Sequence, residues 1–165
     1  MKLNVKNIVT YGLAIAITVL MTTIFSIPAV VYNGYINLGD VPVMLAGMIF
    51  GPIGAFIVGG IGSALSDIFL GYVNYALATF IIKGLEGVIA SQLIKKSKNK
   101  YIIIVPLLSG IFMALGYFIF EIFLYGFYGA LASVPGNLLQ GVVCAIIASL
   151  LYKSIGKILT NMIKN

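Results

Sequence analysis

Charged and amide side chains interrupt the apolar stretches of this sequence. Residues 79 to 90 read TFIIKGLEGVIA and place Lys83 and Glu86 among apolar neighbours, and Glu121 lies within the similar stretch GYFIFEIFLYG. An ionised side chain in hydrocarbon costs at least ~2.5 kcal/mol, so each one must pair, line a cavity or bind a ligand. Asn137 and Gln140 add amide groups in the next apolar segment. The chemistry open to an amine, carboxylates and amides is hydrogen-bonded recognition of a small polar molecule.

Catalysis and metal binding have little support among the remaining residues. The sequence has no histidine, one cysteine and four acidic residues, which excludes histidine general bases and histidine metal sites. A membrane-embedded enzyme would need a nucleophile beside a base, or metal ligands, and neither pattern occurs. We expect Cys144 to be a small buried core residue. The sequence therefore predicts no catalytic residues, no metal and no cofactor.

The elements that position these groups are apolar enough to be membrane helices. Of 165 residues, 61% are hydrophobic and 8% charged, and the mean hydropathy is +1.14, which is typical of an integral membrane protein. A bilayer core about 30 Å thick needs roughly 20 apolar residues per helix. We predict a single all-α membrane domain over residues 1–165. The approximate spans of its six transmembrane helices are 8–27, 41–50, 53–70, 75–94, 101–125 and 136–154.

Breaks between these helices are predicted where glycine, proline and polar residues gather. Gly51 and Pro52 end the short second helix, since proline cannot continue the helical hydrogen bonds. Asp40 is expected to cap the start of that helix, and Asp67 to bind a loop backbone at the end of the third. The loops that these signals predict cover residues 28–39, 71–74, 95–100 and 126–137.

The lysines predict the orientation of the chain in the membrane. Cytoplasmic loops collect Lys and Arg, and nine of the ten lysines lie near the two chain ends or in the 95–100 loop. The other three loops contain no lysine and are rich in Tyr, Asn and Gly. We therefore expect both termini to be cytoplasmic. Lys83 is the one lysine that this rule does not explain.

Helical periodicity directs the polar side chains toward one place, which opens to the lysine-free side. At helical rise, Lys83 lies roughly 12 Å and Glu121 roughly 8 Å below that surface, so the two side chains are predicted to meet. Glu86 lies deeper and is expected to pair with Lys83. A structural ion pair with either glutamate, or contact with another subunit, is the alternative to a ligand role for Lys83. The predicted substrate-binding residues are Tyr35, Asn37, Tyr75, Lys83, Tyr117, Glu121, Tyr125, Asn137 and Gln140, with Tyr32 and Asn33 nearby in the external loop.

Small residues recur along the first and third predicted helices. Along the third helix, every fourth residue from Gly51 to Ser63 is small, and the series ends at Asp67. Such a stripe lets another helix backbone approach closely. Packing inside the bundle is the simpler interpretation, and docking of a partner subunit is the alternative. The residues predicted for docking are Gly12, Ala14, Ala16, Gly51, Ala55, Gly59 and Ser63.

Four stretches of the sequence are specific in combination: YINLGDVPVMLAGMIFGPIGAFIVGGIGSALSDIFLGY (35–72), ATFIIKGLEG (78–87), GYFIFEIFLYG (116–126) and SVPGNLLQG (133–141). Taken together, they resemble the substrate-binding S components of energy-coupling factor (ECF) vitamin transporters, specifically the riboflavin-type branch. The resemblance covers nearly the whole chain. It implies a six-helix bundle in the plasma membrane of a prokaryote that captures a water-soluble vitamin or precursor from outside. The pocket would be roofed by the first external loop and lined by helices four to six.

The resemblance also implies partners. S components do not hydrolyse ATP, so the chain is not expected to be an enzyme. They dock on a transmembrane coupling protein bound to two cytoplasmic ATPases. Docking uses helices one to three, often through Ala-x-x-x-Ala on the first, for which the nearest matches are Gly12 to Ala16 and Ala14 to Thr18. Nucleic acid is not an expected partner, because no basic face exists outside the predicted spans.

The substrate expected from the resemblance is a flat heteroaromatic molecule, which Tyr and Phe side chains can stack against. Relatives with the same motifs are associated with pyridoxine-like or hydroxymethylpyrimidine-like compounds, and we favour such a small ring. A riboflavin-specific S component is the first alternative. A stand-alone secondary carrier is the second, although a carrier would show internal repeats and helices broken at midplane. The predicted breaks here lie near helix ends.

Overall fold

A computed structural model of the chain describes residues 5–28 and 34–164. It consists of four long helices and one short antiparallel strand pair: α1 (Val5–Ile24), β1 (Ile27–Pro28), β2 (Tyr35–Ile36), α2 (Asp40–Phe69), α3 (Val73–Lys96) and α4 (Ile104–Lys164). In the part of the chain so described, four helices are long and apolar enough to cross a membrane. The fold is thus nearly all-helical. The division into six membrane crossings and the side on which the termini lie stay predictions.

Helices α2 and α4 each contain one residue with a non-helical backbone. Gly51 in α2 has φ 82° and ψ 178°, and Gly126 in α4 has φ 74° and ψ 173°. Residues with a Cβ rarely adopt such positive φ values, so glycine is required at both positions. Each long helix is therefore two helical segments that meet at a glycine. The break at Gly51 and Pro52 agrees with the sequence prediction.

The predicted loop over residues 126–137 is wrong beyond its first residue. Helix α4 resumes after Gly126 and continues through Pro135. Ala130 and Ser133 are fully buried in this stretch, and the Ser133 hydroxyl donates to the Ala130 carbonyl at 2.9 Å. Backbone groups of a loop would be left unpaired in lipid, and membrane helices tolerate proline. Glycine, serine and proline are therefore weaker loop signals in this chain than in a soluble protein.

The strand pair lies in the predicted loop at 28–39, except that β1 begins one residue earlier, at Ile27, which the sequence predicts as the end of the first helix. Ile27 lies opposite Ile36, and Pro28 opposite Tyr35. Tyr32 and Asn33, which the sequence places near the predicted site, lie outside the described residues. The strand pair brings Tyr35 over the ends of the helices, and the chain then enters α2 directly.

Small residues bring α2 and α3 into backbone contact. A Cβ added to Gly59 would lie 2.5 Å from the carbonyl oxygen of Lys83, and one added to Gly87 would lie 2.9 Å from that of Ala55. Ala55, Gly59 and Ser63 are buried within the chain. Ala55 and Gly59 pack against α3, and all three residues are too buried within the chain for the docking role predicted for them. The close approach also fixes the position of Lys83 against α2.

The other predicted docking residues differ among themselves. Gly51 supplies the break in α2, so its backbone conformation explains its small size. Ala14 packs beside a buried cluster that includes Tyr11. Gly12 and Ala16 are exposed on α1, and a Cβ on Gly12 would meet nothing within 4 Å. Gly12 and Ala16 are the members of the predicted set that are exposed.

Within α4, the two segments pack closely against each other. A Cβ added to Gly110 would lie 2.9 Å from the Cα of Gly141. Cys144 is fully buried and packs in a core cluster with Met44 and Ala148, which confirms the small-core role expected for it. This packing brings Glu121, from the first segment of α4, beside the polar residues of the second.

Candidate functional site

A polar cavity of about 40 Å³ lies beneath the strand pair. All four helices and β2 contribute residues to its lining. It gathers eight of the nine predicted binding residues. Tyr125 does not line the cavity; it is 43% exposed, and its hydroxyl lies 3.4 Å from that of Tyr75. The lining residues are Thr22, Gly34, Tyr35, Asn37, Ser63, Asp67, Tyr72, Tyr75, Thr79, Lys83, Tyr117, Glu121, Asn137 and Gln140.

Lys83 and Gln140 form the floor of the cavity. They belong to a buried polar group that we call the Lys83 cluster: Asp40, Lys83, Glu86 and Gln140. The Lys83 ammonium forms ion pairs with Asp40 and with Glu86, the latter at 3.1 Å between Nζ and Oε2. The Gln140 amide donates to both oxygens of Asp40, at 3.1 and 3.0 Å. The predicted pairing of Lys83 with Glu86 is confirmed.

Asp40 is not the helix cap that the sequence predicts. Gly39 occupies the N-cap position of α2 and makes no side-chain capping bond, whereas Asp40 is completely buried. A buried carboxylate must be paired, and the ammonium of Lys83 on α3 supplies the charge. Asp40 therefore joins α2 to α3 rather than closing the end of its own helix.

Asn37 connects the strand pair to this floor. Its backbone N–H donates to Gln140 Oε1 at 2.8 Å, and its side-chain amide donates to the same oxygen at 3.3 Å. The Gly39 N–H in turn donates to Asn37 Oδ1 at 2.7 Å. The segment that leads into α2 is thus held against α4 by buried hydrogen bonds.

Glu121 belongs to a separate group on the α4 side of the cavity. Tyr75 donates its hydroxyl to Glu121 Oε1 at 3.2 Å, and Ser133 donates to Oε2. The Asn137 amide lies 3.5 Å from the Ser133 hydroxyl. Lys83 pairs with Asp40 and Glu86 instead of Glu121, so the predicted meeting of Lys83 and Glu121 is wrong at the level of side-chain contact. The two residues line the same cavity from different walls.

The opposite wall carries three residues that sequence reasoning did not assign to binding. We call Thr22, Ser63 and Asp67 the Asp67 cluster. Tyr35 donates its hydroxyl to Asp67 Oδ1 at 2.6 Å, so Asp67 holds a side chain of β2 and not the loop backbone predicted for it. Burial, together with the nearby Asp67 charge, raises the pKa of the Tyr35 phenol, which keeps that hydroxyl a donor. The four-residue spacing of Ser63 and Asp67 was the one sequence signal for this wall.

Tyrosine rings form a continuous wall between the two carboxylates of the cavity. Ring centroids lie 5.0 Å apart for Tyr35 and Tyr72, 6.4 Å for Tyr72 and Tyr75, and 6.5 Å for Tyr75 and Tyr117. The Lys83 ammonium lies 5.7 Å from the Tyr117 centroid. Such rings offer faces and edges to a planar ligand. Acidic groups at both ends and aromatic faces between them suit a flat molecule that carries hydrogen-bond donors.

The geometry defines a class of protein: a membrane-embedded helical bundle that encloses a polar, tyrosine-lined cavity for recognition. Across residues 5–28 and 34–164, no three His, Cys, Asp or Glu side chains gather to hold a metal ion. Residues 2–157 match the family model described as the S component of ECF-type riboflavin transporters, and the chain belongs to that family. It is the substrate-capture subunit of a vitamin transporter, a transport component and not an enzyme.

Two curated proteins and one solved structure are also similar to this chain. An uncharacterised protein from Pyrococcus woesei is 41% identical over 87% of this chain and 99% of its own length. The thiamine precursor transporter HmpT from Lactococcus lactis subsp. cremoris (strain MG1363) is 32% identical over 90% of this chain and 86% of its own. A solved structure of the S component of a bacterial ECF transporter matches with a TM-score of 0.71 and 25% identity, over 93% of this chain and 97% of that one.

Proposed function

We propose that this S component captures a small heteroaromatic thiamine precursor of the hydroxymethylpyrimidine type. The observation that carries the proposal is the cavity: about 40 Å³, acidic at two ends and lined by tyrosines. The space inside this cavity is small, which favours a ligand with a single ring. The three fused rings and sugar-like chain of riboflavin would require far more. The resemblance to HmpT, a thiamine precursor transporter, supports the same choice.

The side chains available on the α4 side match an aminopyrimidine edge. Such a ring carries an exocyclic amine, which donates, beside a ring nitrogen, which accepts. The Glu121 carboxylate would accept from the amine, and the Asn137 amide would donate to the ring nitrogen. Tyr75 and Tyr117 would pack against the ring.

Lys83 argues against pyridoxine, the other small ring favoured by the sequence. Pyridoxine carries a phenolic oxygen, whose anion would suit a free ammonium. The Lys83 ammonium already pairs with two carboxylates, Asp40 and Glu86. A ligand anion at this floor would face excess negative charge, so a neutral amine-bearing ring fits better.

The test is a titration of the purified protein in detergent with hydroxymethylpyrimidine, pyridoxine and riboflavin, followed by calorimetry and thermal shift. We expect hydroxymethylpyrimidine to bind most tightly. Glu121→Gln should weaken it by about 10- to 100-fold, because a hydrogen bond to a charged group is lost. Tyr128→Phe, at a residue 86% exposed, is the matched control and should leave affinity unchanged. Tightest binding of riboflavin, or equal affinity in the Glu121 variant, would refute the proposal.

Coupling to a transport module is proposed for the exposed face of α1. A transmembrane coupling protein with two cytoplasmic ATPases would contact Gly12 and Ala16, where small side chains leave open surface. Gly12→Leu combined with Ala16→Leu should abolish co-purification with an ECF module and leave vitamin affinity intact. Undiminished co-purification of this double variant would contradict the assignment.

A further inference from the structure

We propose that the Asp67 cluster is a second hydrogen-bonding subsite of the cavity, which accepts a hydroxyl of the ligand. This inference rests on the proposed function and deepens it. The substrate class would be a flat ring with hydrogen-bond donors at two ends: an amine toward Glu121 and a hydroxymethyl group toward Asp67. The subsite would make the protein select against rings that lack the hydroxyl.

The first observation is that each residue of the Asp67 cluster has a polar atom without a hydrogen-bond partner. Thr22 Oγ1, Ser63 Oγ and Asp67 Oδ2 are buried and have no hydrogen-bond partner among the described residues. The three residues are 2%, 5% and 3% exposed, and all line the cavity. Buried polar atoms are nearly always paired, because an unpaired one loses its water without compensation. The fourth such atom, Glu86 Oε1, belongs to a residue outside the cavity lining.

The second observation is that neighbouring hydroxyls behave differently. One turn before Thr22, Thr18 donates to the Ala14 carbonyl at 2.9 Å, and Ser66, next to Asp67, donates to the Gly62 carbonyl at 2.9 Å. This bond to the residue four positions earlier is the usual resting place of a helical hydroxyl. Thr22 and Ser63 do not make it and instead line the cavity. Their hydroxyls are available to a ligand.

The chemistry of Asp67 then sets which ligand group fits. Its Oδ1 accepts from Tyr35, and Oδ2 remains as an acceptor that demands a donor. Thr79 also lies close to Asp67. Its hydroxyl is 3.0 Å from that of Tyr117, and Asp67 Oδ2 has no hydrogen-bond partner among the described residues. Ser63 and Thr22 can donate or accept. A ligand hydroxyl matches this set, since it can donate to the carboxylate and accept from Ser63 or Thr22.

The carboxylates at the two ends of the cavity differ in how many of their oxygens already accept a hydrogen bond. Both oxygens of Glu121 already accept hydrogen bonds, from Tyr75 and Ser133, whereas one oxygen of Asp67 accepts none. A donor at Glu121 would share or displace an existing partner. A donor at Asp67 would add a bond. The larger gain per ligand hydroxyl is therefore expected at Asp67.

The test compares two ligands, hydroxymethylpyrimidine and its analogue in which a methyl group replaces the hydroxymethyl group. The wild-type protein should prefer the hydroxymethyl compound by about 10- to 100-fold, as expected for a hydrogen bond to a charged acceptor. Asp67→Asn should reduce that preference to a few-fold by weakening the hydroxymethyl compound alone. Ser63→Ala should also weaken binding of the hydroxymethyl compound alone, by a smaller factor. If the Asp67 variant does not fold, the Ser63 variant is sufficient to test the proposal.

Tyr35→Phe is the matched control, because it removes the hydrogen bond from the Tyr35 hydroxyl to Asp67 Oδ1 and leaves Asp67 Oδ2 in place. It should weaken both ligands equally. If Asp67→Asn also weakens both equally, Asp67 only supports the roof and the inference is overturned. Equal wild-type affinity for the two ligands would overturn it while leaving the proposed function standing. Binding of neither ligand would reject the proposed function itself. A requirement for sodium, tested in choline buffer, would show that the oxygens hold a cation and would also overturn the inference.

Discussion

The Lys83 cluster and the Asp67 cluster are both polar groups buried among apolar helices, and they differ in how far their members satisfy one another. In the Lys83 cluster, an ammonium meets two carboxylates and an amide donates to both oxygens of one of them. In the Asp67 cluster, three atoms that line the cavity have no partner among the described residues. The first arrangement holds three helices together and leaves one atom, Glu86 Oε1, without a partner among the described residues. The second leaves hydrogen bonds to be made.

The number of unpaired hydrogen-bonding atoms therefore distinguishes polar residues that stabilise the fold from those that bind a ligand. The charge of a residue and its depth in the membrane distinguish them less well. Lys83 is a prominent candidate in the sequence because it is a lysine in an apolar helix, yet its ammonium group already pairs with Asp40 and Glu86. Asp67 and Ser63 draw less attention, yet they carry the unused capacity. Each unpaired buried atom costs about 1 to 3 kcal/mol, a cost that a bound ligand would remove.

The largest effect is expected from breaking the Lys83 cluster. Lys83→Met would leave Asp40 and Glu86 as buried, unpaired carboxylates and should lower the free energy of unfolding by about 3 to 5 kcal/mol. Thermal unfolding of the purified protein in detergent, without ligand, measures this. Lys96→Met, at an exposed lysine of the same helix, is the control and should change little.

A combined variant separates lost charge pairing from lost packing. Adding Asp40→Asn and Glu86→Gln to Lys83→Met removes the uncompensated charges and should recover much of the lost stability. If Lys83→Met is no worse than the Lys96 control, the cluster does not stabilise the fold and the contrast with the Asp67 cluster fails.

A smaller effect of opposite sign is expected in the Asp67 cluster. Ser63→Ala removes an unpaired buried hydroxyl, so the ligand-free protein should keep its stability or gain up to about 1 kcal/mol. Ser66→Ala, three residues away on the same helix, removes a hydroxyl that is bonded to Gly62 and should cost about 0.5 to 1.5 kcal/mol. The measurement is again unfolding in detergent. A cost for Ser63→Ala equal to that for Ser66→Ala would mean that Ser63 is already satisfied.

Local features of the fold were predictable because they depend on neighbours in the chain. The break at Gly51 follows from glycine and proline side by side. The Lys83 and Glu86 pair follows from a three-residue spacing, which places two side chains on one helix face. The error over residues 126–137 has the same origin, since a local composition rule for loops was applied where lipid favours a continuous helix.

Contacts between helices were only partly predictable. Helical periodicity correctly predicted that most of the site residues, including Glu121 and Gln140, lie around one cavity. It did not find the ion pair of Asp40 with Lys83, which joins residues 43 apart in the chain. It also assigned Ser63 to a partner surface, because a stripe of small residues looks the same whether it faces a neighbouring helix or another subunit.

The amino-acid sequence by itself determined a membrane bundle of apolar helices with a polar region inside it. The physical reason is that lipid offers no hydrogen bonds, so apolar runs must be helical and their few polar residues must face one another. Only the tertiary structure decided which carboxylate pairs with Lys83 and which oxygen atoms stay unpaired. Those outcomes depend on the rotation and depth of each helix to within a few ångströms, and the close approach of Gly59 to the backbone of Lys83 sets them.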